Sequence, residues 1–379
     1  MKIIQITPHY PPHLGGMEKR VKDLCEKLSK KGYYVNVITS DLGYRNKIKS
    51  KKNLKIDYLK SFEFANNPLN LKLSSKIKSI RNAIFHLHLV DSFYSIVSYT
   101  RIRKANSPYI AHIRGDIQPS GKLGFLLPLY KKLFLKRILQ NADRVIALNQ
   151  DYKDLFTKKY NLNKDNVIVI PNATSFKISK RINSKLHNPV RLLFVGRFSV
   201  DKNLEFLIKS LKYLKEQNFI LYLVGEGPLE NSIRSLIKKE GINKKIVFKG
   251  RLEGEKLYQA YLNSDIILLP SKVECFSSVL LEAMATGRPI IASNVKGSRN
   301  VIKDDYNGLL VNPTPMNLAN TITRLIGDKK LREKLIKNGY KEVKRYSWDN
   351  IIKQTEEVYR QVWEEHQKKK NKKNKKKVR

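Results

Sequence analysis

The chain contains little cysteine and no long apolar run. Among its 379 residues there are only two cysteines, Cys25 and Cys275, and their positions do not match the spacing of metal ligands. We therefore expect neither a disulfide scaffold nor a cysteine-bound metal, and the composition favours a reducing compartment. No stretch approaches the roughly 18 uninterrupted apolar residues of a membrane-spanning helix. The first apolar run ends at Thr7, too early for a signal peptide, so the sequence predicts a cytoplasmic protein.

Negative charge is also scarce. The chain has 75 lysine and arginine residues against 33 aspartate and glutamate residues, which gives a net charge of +42. The residues after His366 supply nine of the positive charges, eight lysines and Arg379, and such a like-charged block predicts a disordered tail over 366–379. The excess indicates an anionic partner: a nucleic acid, an anionic lipid surface or a phosphorylated substrate. A genomic bias toward lysine and asparagine is an alternative explanation of the same composition.

The length and the first residues predict two α/β domains. A chain of 379 residues exceeds one core of ordinary size, so we expect two domains of about 170 to 190 residues. The pattern predicts a strand over 2–7, a helix over 17–31 and a second strand over 34–39. Gly15 and Gly16 precede the helix and allow backbone N–H groups to approach a phosphate, although a plain tight turn fits them as well. No Gly-x-Gly-x-x-Gly occurs, which counts against a nicotinamide or flavin enzyme.

Histidines lie in two further strands of the first half. His86 and His88 alternate along the apolar run 84–89, so they share one face of that strand. Alternate histidines can bind zinc, but no third ligand with suitable spacing follows them, and we expect no metal site. His112 lies at the carboxyl end of the strand 109–113, where α/β sheets bind ligands. A structural histidine in the core is the alternative reading of His112.

A basic loop opens the second half. The strand 191–195 leads into Gly196, Arg197 and, after a short loop, Lys202 at the start of the next helix. An arginine with a bidentate fork and a lysine with a point charge could neutralise a diphosphate at this loop. Two solvated cations are the alternative reading.

Two glutamates flank the start of a later helix. The apolar run 266–269 predicts a strand, and 279–285 has helical spacing before Gly287 ends it. Glu274 therefore lies in the loop and Glu282 on the helix, and both carboxylates could accept hydrogen bonds from sugar or ribose hydroxyls. An ordinary βαβ unit with solvated glutamates is the alternative.

The stretch around these glutamates resembles a known signature. Glu274, seven residues, Glu282 and then Ala-Met-Ala-Thr-Gly-Arg-Pro-Ile-Ile-Ala-Ser resemble the signature of retaining GT-B glycosyltransferases of family 4. The run 112–116, His-Ile-Arg-Gly-Asp, resembles the third-strand motif of the same family. The resemblance extends over about 1–345 and is weakest at 41–80.

The resemblance implies an α/β fold of the GT-B type, with two Rossmann-like domains facing across a cleft. Residues 1–173 would form the acceptor-binding domain, 174–189 a linker, and 190–346 the domain that binds the nucleotide sugar. A helix over 347–365 would pack back on the first domain, followed by the disordered tail.

The resemblance also implies roles for individual residues. Arg197 and Lys202 would contact the donor pyrophosphate, Glu274 would orient the donor sugar, and His112 would contact a sugar hydroxyl. Where the family commonly has Gly-Phe-Gly between the glutamates, this chain has Cys-Phe-Ser. Glu282 would bind the ribose hydroxyls. The other residues expected to bind the donor are Gly15, Gly16, Gly196, Arg251, Cys275, Phe276, Ser277 and Ser278.

The expected reaction is transfer of a sugar from a UDP- or GDP-linked donor to a hydroxyl of a glycan or lipid-linked acceptor, with retention of anomeric configuration. Its expected setting is the synthesis of envelope or surface polysaccharide. No Asp-x-Asp motif occurs, so we expect catalysis without a metal and without a cofactor. A nucleotide-sugar epimerase of the same fold and a basic nucleic-acid-binding protein are the alternatives, although we expect no nucleic acid partner.

One stretch predicts contact with a membrane surface. Residues 123–139 alternate leucine and phenylalanine with lysine and arginine in the pattern of a basic amphipathic helix. Together with the tail, this helix could hold the protein at the inner face of an anionic membrane. The alternative is that its apolar face packs into the first domain.

Overall fold

The structure is a computed structural model, and it describes residues 1–13, 15–42, 48–64, 67–89, 93–116, 124–179, 182–214 and 217–377. The chain divides into two compact units. The first comprises Met1–Pro171 together with Asp349–Arg379, and the second comprises Asn172–Trp348. Each unit is built on its own parallel sheet.

The first unit contains a seven-stranded sheet with the order β3-β2-β1-β6-β7-β8-β9, in which all pairs are parallel. Its strands are β1 (Lys2–Ile6), β2 (Tyr34–Ser40), β3 (Leu54–Leu59), β6 (Ala83–Leu89), β7 (Tyr109–Ile113), β8 (Arg144–Ala147) and β9 (Val167–Val169), and β4 (Phe62–Phe64) and β5 (Asn67–Leu69) form a separate antiparallel pair. The α-helices in its first segment are α1 (Gly16–Lys30), α2 (Leu73–Lys78), α3 (Phe93–Lys104), α4 (Leu127–Tyr130), α5 (Lys136–Gln140) and α6 (Gln150–Tyr160).

The second unit contains a six-stranded parallel sheet with the order β12-β11-β10-β13-β14-β15. Its strands are β10 (Val190–Val195), β11 (Phe219–Val224), β12 (Ile246–Gly250), β13 (Ile266–Leu269), β14 (Ile290–Ser293) and β15 (Leu309–Val311). Its helices are α7 (Leu204–Leu211), α8 (Glu230–Lys239), α9 (Gly254–Leu262), α10 (Ser278–Thr286), α11 (Lys296–Arg299), α12 (Pro315–Gly327) and α13 (Lys329–Val343).

Both sheets are buried on both faces, which explains why their central strands are almost continuously apolar. Every residue of β6 and of β13 is buried. The strand order reverses between β1 and β6 in the first sheet and between β10 and β13 in the second. Such switch points at the carboxyl ends of the strands are where doubly wound α/β sheets bind ligands. The predicted α/β fold with two Rossmann-like halves is confirmed.

The predicted linker, 174–189, is tied to the second unit. Arg332 on α13 donates to the carbonyl of Ser184, and the Ser184 hydroxyl donates to Glu333. The amide of Ser179 donates to Ala285 at 2.8 Å. These bonds fix the course of the described part of this stretch.

The end of the chain differs from the sequence prediction. We expected a disordered tail over 366–379, but one helix, α14 (Trp348–Lys377), runs through most of it. Residues 348–377 contain no glycine or proline, and lysine is a good helix former, so a helix started by packing can continue through the basic segment. The packed part contains Ile351, Val358 and Tyr359, which are all buried.

None of the helices in the described ranges is long and apolar enough to cross a membrane. The predicted basic amphipathic stretch, 123–139, begins at Leu123, which lies outside the described residues. From residue 124 it forms a short 3₁₀ turn, α4, a π-helical turn (Lys131–Leu135) and α5.

Candidate active site

An ion pair lies at the switch point of the second sheet. Lys202 follows β10 and Glu274 follows β13, and these strands are neighbours. The Lys202 Nζ atom lies 2.6 Å from Glu274 Oε1, and the Ser271 hydroxyl donates to the same oxygen at 2.8 Å. The Glu274 side chain is 8% exposed and that of Lys202 is 23% exposed. The structure therefore brings two predicted site residues into direct contact.

Backbone contacts hold these two loops together. The amide of Lys272, beside Glu274, donates to the carbonyl of Asp201, beside Lys202, at 2.8 Å. Gly297 on α11 also packs against this loop, because a Cβ atom there would lie 2.1 Å from the Glu274 carbonyl oxygen. No residue larger than glycine fits at 297 unless the backbone moves.

Glu282 lies on α10 and accepts a hydrogen bond from the Tyr261 hydroxyl at 2.7 Å. Burial raises the pKa of Tyr261 well above its ordinary value, and the neighbouring Glu282 carboxylate adds to this. The tyrosine therefore stays a neutral donor that orients the carboxylate.

Arg197 is exposed. It forms no ion pair with another residue that the structure describes. Two backbone hydrogen bonds fix its loop: the Gly196 amide donates to the carbonyl of Val224, and the Phe198 amide donates to the carbonyl of Glu226. Gly225 has a φ of +134° and approaches Gly196 so closely that a Cβ atom would lie 1.9 Å from the Gly196 carbonyl oxygen. The guanidinium is thus an available cation on a fixed backbone.

Arg251 is engaged within its own loop. Its guanidinium pairs with Glu253 at 2.6 Å, and its amide donates to Glu226 at 3.3 Å. Its predicted contact with the donor stays a prediction, and it would require exchange of this exposed pair.

The Cys-Phe-Ser run begins helix α10. Phe276 is buried with its ring against that of Tyr346, and its carbonyl accepts from Asn172 at 3.4 Å. Cys275 is half-buried, Ser277 is buried at the N-cap of α10, and Ser278 is the first residue of the helix. The Phe276 ring therefore packs in the interior, and its predicted contact with the donor stays a prediction.

Gly15 and Gly16 lie at the start of α1 as predicted, next to a carboxylate. The Glu18 side chain lies beside Gly15, where a Cβ atom would be 2.0 Å from Glu18 Oε2. Glu18 pairs with His13 at 3.0 Å. Burial acts to raise the pKa of Glu18, but the bond to His13 and its charge hold the pKa below the ordinary value. The phosphate contact predicted for these glycines stays a prediction.

His112 belongs to a buried cluster with His86 and His88. The three side chains offer ring nitrogens that lie within 4.8 Å of one another, so a third histidine joins the alternate pair in space although none follows it at a suitable spacing in the sequence. Sequence spacing missed it because His112 comes from the neighbouring strand, β7, where it is paired in register with His88.

The histidines of this cluster are neutral at ordinary pH. Burial lowers the pKa of His86 to about 3 and holds the pKa values of His88 and His112 well below the histidine value. The charge of Arg114 contributes to the lowering for all three. The pKa of Arg114 itself is lowered to about 9, mainly by burial, so it remains a cation at neutral pH.

Several residues of these sites carried no distinctive signal in the sequence. Ser271, Tyr261 and Gly297 act through contacts with the predicted glutamates. Gln5 and Tyr359 contact the histidine cluster, and only Gln5 gave a hint, as the one polar side chain inside an apolar first strand.

Two family models match consecutive parts of the chain. A model described as Glycosyltransferase Family 4 matches residues 14–176. A model described as Glycosyl transferases group 1 matches residues 175–342. Their junction lies close to the start of the second unit, Asn172–Trp348.

Curated relatives occur in Methanocaldococcus jannaschii. One uncharacterized glycosyltransferase from this organism is 27% identical over 369 residues, which cover 96% of this chain and 99% of the relative. Another is 38% identical over 172 residues, which cover 45% of this chain and 44% of the relative. The second match thus spans less than half of either protein, whereas the first spans nearly all of both.

Solved structures share the fold over nearly the whole length of the chain. The crystal structure of the Anabaena HepE protein in complex with UDP and glucose has a TM-score of 0.75 and 18% sequence identity. The match covers 95% of this chain and 100% of that chain. At this identity the likeness shows the fold.

Proposed function

Because the chain belongs to the group 1 glycosyltransferases of family 4 and has the GT-B fold, we propose that it transfers a sugar from a nucleotide-diphosphate donor to a hydroxyl group with retention of anomeric configuration. The observation that carries this proposal is the contact between Lys202 and Glu274 at the switch point of the second sheet, at 2.6 Å. A cation and a carboxylate are held there side by side, and the exposed Arg197 lies on the same loop as Lys202.

The hard step of such a reaction is departure of the diphosphate from an oxocarbenium-like sugar. Arg197 and Lys202 would neutralise the charge that develops on the leaving oxygens, and fixed donors of this kind stabilise a transition state strongly. Glu274 would accept hydrogen bonds from sugar hydroxyls, held in place by Lys202 and Ser271. In this proposal the reaction needs no metal and no cofactor, because protein cations serve the leaving group.

The nucleotide would be recognised through Glu282. Its carboxylate, oriented by Tyr261, would accept hydrogen bonds from the ribose hydroxyls. The HepE protein binds UDP, and we propose a UDP- or GDP-linked donor for this chain. Cys275 and Ser277 carry side chains where the family commonly has glycines, and they would narrow the choice of donor sugar.

We further propose that the enzyme works at the cytoplasmic face of an anionic membrane on a lipid-linked or envelope-glycan acceptor. The helical stretch 124–140 buries one apolar side, including Leu127, Leu135, Ile138 and Leu139. It nevertheless leaves a second apolar set exposed: Phe125, Leu126, Leu129, Leu133 and Phe134. We call this exposed set the apolar ridge.

The charges near the apolar ridge favour an anionic lipid surface. Lys132, Lys136 and Arg137 are exposed on the same helical stretch. Apolar side chains that enter a lipid interface and cations that face its headgroups are the two components of interfacial binding. Near an anionic leaflet each lysine or arginine contributes about 1 kcal/mol, and the basic end of α14 adds further charge.

Activity is tested with a panel of UDP- and GDP-sugars, by following slow release of the nucleoside diphosphate without an acceptor. We expect release from one donor, and a large loss of it in Glu274→Gln but not in Lys209→Ala, whose exposed ion pair with Glu205 lies outside the site. Conversion of the donor into a different nucleotide sugar, with no transfer, would instead identify an epimerase.

Membrane binding is tested by co-sedimentation with anionic and neutral vesicles at low and high salt. We expect binding to anionic vesicles that weakens with salt, that falls in a Leu129→Ser, Leu133→Ser variant and that weakens in a chain ending at Glu365. Leu71→Ser is the matched control, since Leu71 is 89% exposed in the same unit but outside the apolar ridge. Binding that ignores lipid charge and salt, or no binding, would contradict this part of the proposal.

A further inference from the structure

A continuous hydrogen-bonded chain runs through the core of the first unit. The Gln5 amide nitrogen donates to the Tyr359 hydroxyl at 2.9 Å, and that hydroxyl lies 2.6 Å from His86 Nδ1. His86 Nε2 lies 3.1 Å from His112 Nδ1. Separately, His88 Nε2 lies 2.8 Å from Gln5 Oε1. All five side chains are buried.

The direction of each bond follows from the donors available. Because the Tyr359 oxygen accepts from Gln5, its single proton is free to be donated to His86 Nδ1. A neutral His86 that accepts at Nδ1 carries its proton on Nε2, and this proton is donated to His112 Nδ1. With the Gln5 amide nitrogen toward Tyr359 and its oxygen toward His88, the opposite direction would leave the buried Tyr359 proton without an acceptor among the described residues.

This series of hydrogen bonds therefore leaves His112 in one defined tautomer. His112 accepts at Nδ1, so its own proton lies on Nε2, and this buried atom has no hydrogen-bond partner within the described ranges. A buried N–H donor without a partner destabilises the fold. A ligand that accepts a hydrogen bond from this atom would remove that cost. His88 donates from Nε2 to Gln5, and its Nδ1 is likewise without a partner there.

A metal ion is the competing occupant of this cluster, because the three histidines are close enough to bind one. Two observations argue against it. The nitrogens that face each other in His86 and His112 are already joined by a hydrogen bond. The nearby Arg114 guanidinium places positive charge beside the cluster, and the three histidines bring no carboxylate to offset a second cation.

We propose that Gln5, Tyr359 and His86 are positioning residues that hold His112 as the Nε2–H tautomer, so that it donates a hydrogen bond to a hydroxyl of the sugar substrate. The inference rests on the proposed function only for the identity of that ligand. Tyr359 lies on α14, so the carboxyl-terminal helix fixes the chemistry of a residue on β7. If every hydrogen bond in this series ran in the opposite direction, His112 Nε2 would be an acceptor.

The test reads the tautomer directly. The chain has seven histidines, so histidine labelled with ¹⁵N gives a resolvable spectrum, and His112→Gln assigns the resonance. We expect Nε2–H at His112 in the unaltered protein, and loss of this fixed tautomer in Tyr359→Phe. A His112 protonated at Nδ1, or a tautomer unchanged by Tyr359→Phe, would overturn the proposal.

Two further measurements complete the test. With a donor in hand, Tyr359→Phe should lower the turnover number about tenfold, the size of one lost hydrogen bond. Tyr109→Phe, which removes another buried hydroxyl bonded to the Ile138 carbonyl, should leave both tautomer and turnover unchanged. Zinc at one equivalent should not shift the three resonances, and a stoichiometric shift would identify a metal site instead. A correct tautomer without activity on any nucleotide sugar would refute the proposed function and leave this inference standing.

Discussion

Removal of Lys202 and removal of Arg197 should have the same effect on catalysis and different effects on stability. Both cations are proposed to neutralise the leaving diphosphate, and loss of one such donor costs roughly 10²–10³ in rate. Because the charge develops in the transition state, the turnover number should fall more than the Michaelis constant rises. Arg197→Ala and Lys202→Ala should therefore look alike in steady-state kinetics.

Stability separates them because only Lys202 has a buried partner. Lys202→Ala leaves the Glu274 carboxylate, which is 8% exposed, with the Ser271 hydroxyl as its one remaining side-chain partner among the described residues. A buried charged group that loses its partner costs about 1–3 kcal/mol. Arg197 is exposed and pairs with no described residue, so Arg197→Ala should change the free energy of unfolding by less than about 0.5 kcal/mol.

The assay is thermal and chemical unfolding beside the kinetics, with Lys209→Ala as the matched control. Lys209 pairs with Glu205 at the same distance, 2.6 Å, but both side chains are well exposed, and solvent screening leaves such pairs with little effect on stability. An unchanged melting temperature in Lys202→Ala would refute the structural half of this reasoning. A raised Michaelis constant with an intact turnover number in either variant would refute the catalytic half.

Three further predictions concern the nucleotide site, the packing around Glu274 and the need for a metal. Glu282→Gln should weaken binding of the free nucleotide by about 1.5–3 kcal/mol, the size of a charge-assisted hydrogen bond, and unchanged affinity by calorimetry with a normal melting curve would exclude the ribose role. Gly297→Ala should lower both activity and melting temperature, since its Cβ atom would press on the Glu274 carbonyl at 2.1 Å, whereas Gly327→Ala meets nothing within 4 Å and should be neutral. Addition of a chelator should leave transfer unchanged, and strong inhibition would show that the reaction needs a metal.

The sequence predicted those site residues that share a loop or follow a strong pattern. Glu274 and Glu282 could be placed on a loop and a helix because an apolar run, a proline and a helix-ending glycine bracket them. The contact between Lys202 and Glu274 follows from β10 and β13 being neighbours, a pairing that a single sequence does not reveal.

Contacts between distant segments could not be predicted. Gln5 and Tyr359 are 354 positions apart, and Tyr359 has the pattern of an ordinary core residue on a helix. His112 joined His86 only through the pairing of β6 with β7.

The sequence pattern is also weak at the edges of the first unit. The stretch 41–80, where the resemblance is weakest, contains β3, the short β4 and β5, and α2. β3 is an edge strand and β4 is fully exposed, so neither needs the continuous apolar run that marks a central strand.

The central claim is that this chain cleaves a nucleotide sugar with retention, and the anomeric form of the first released sugar tests it most directly. With the donor found in the nucleotide-sugar panel, slow hydrolysis is followed by ¹H NMR before the free sugar mutarotates. We predict that the released sugar initially has the same anomeric configuration as the donor, and that Glu274→Gln releases it far more slowly. Release of the opposite anomer, or no release from any nucleotide sugar, would contradict the account.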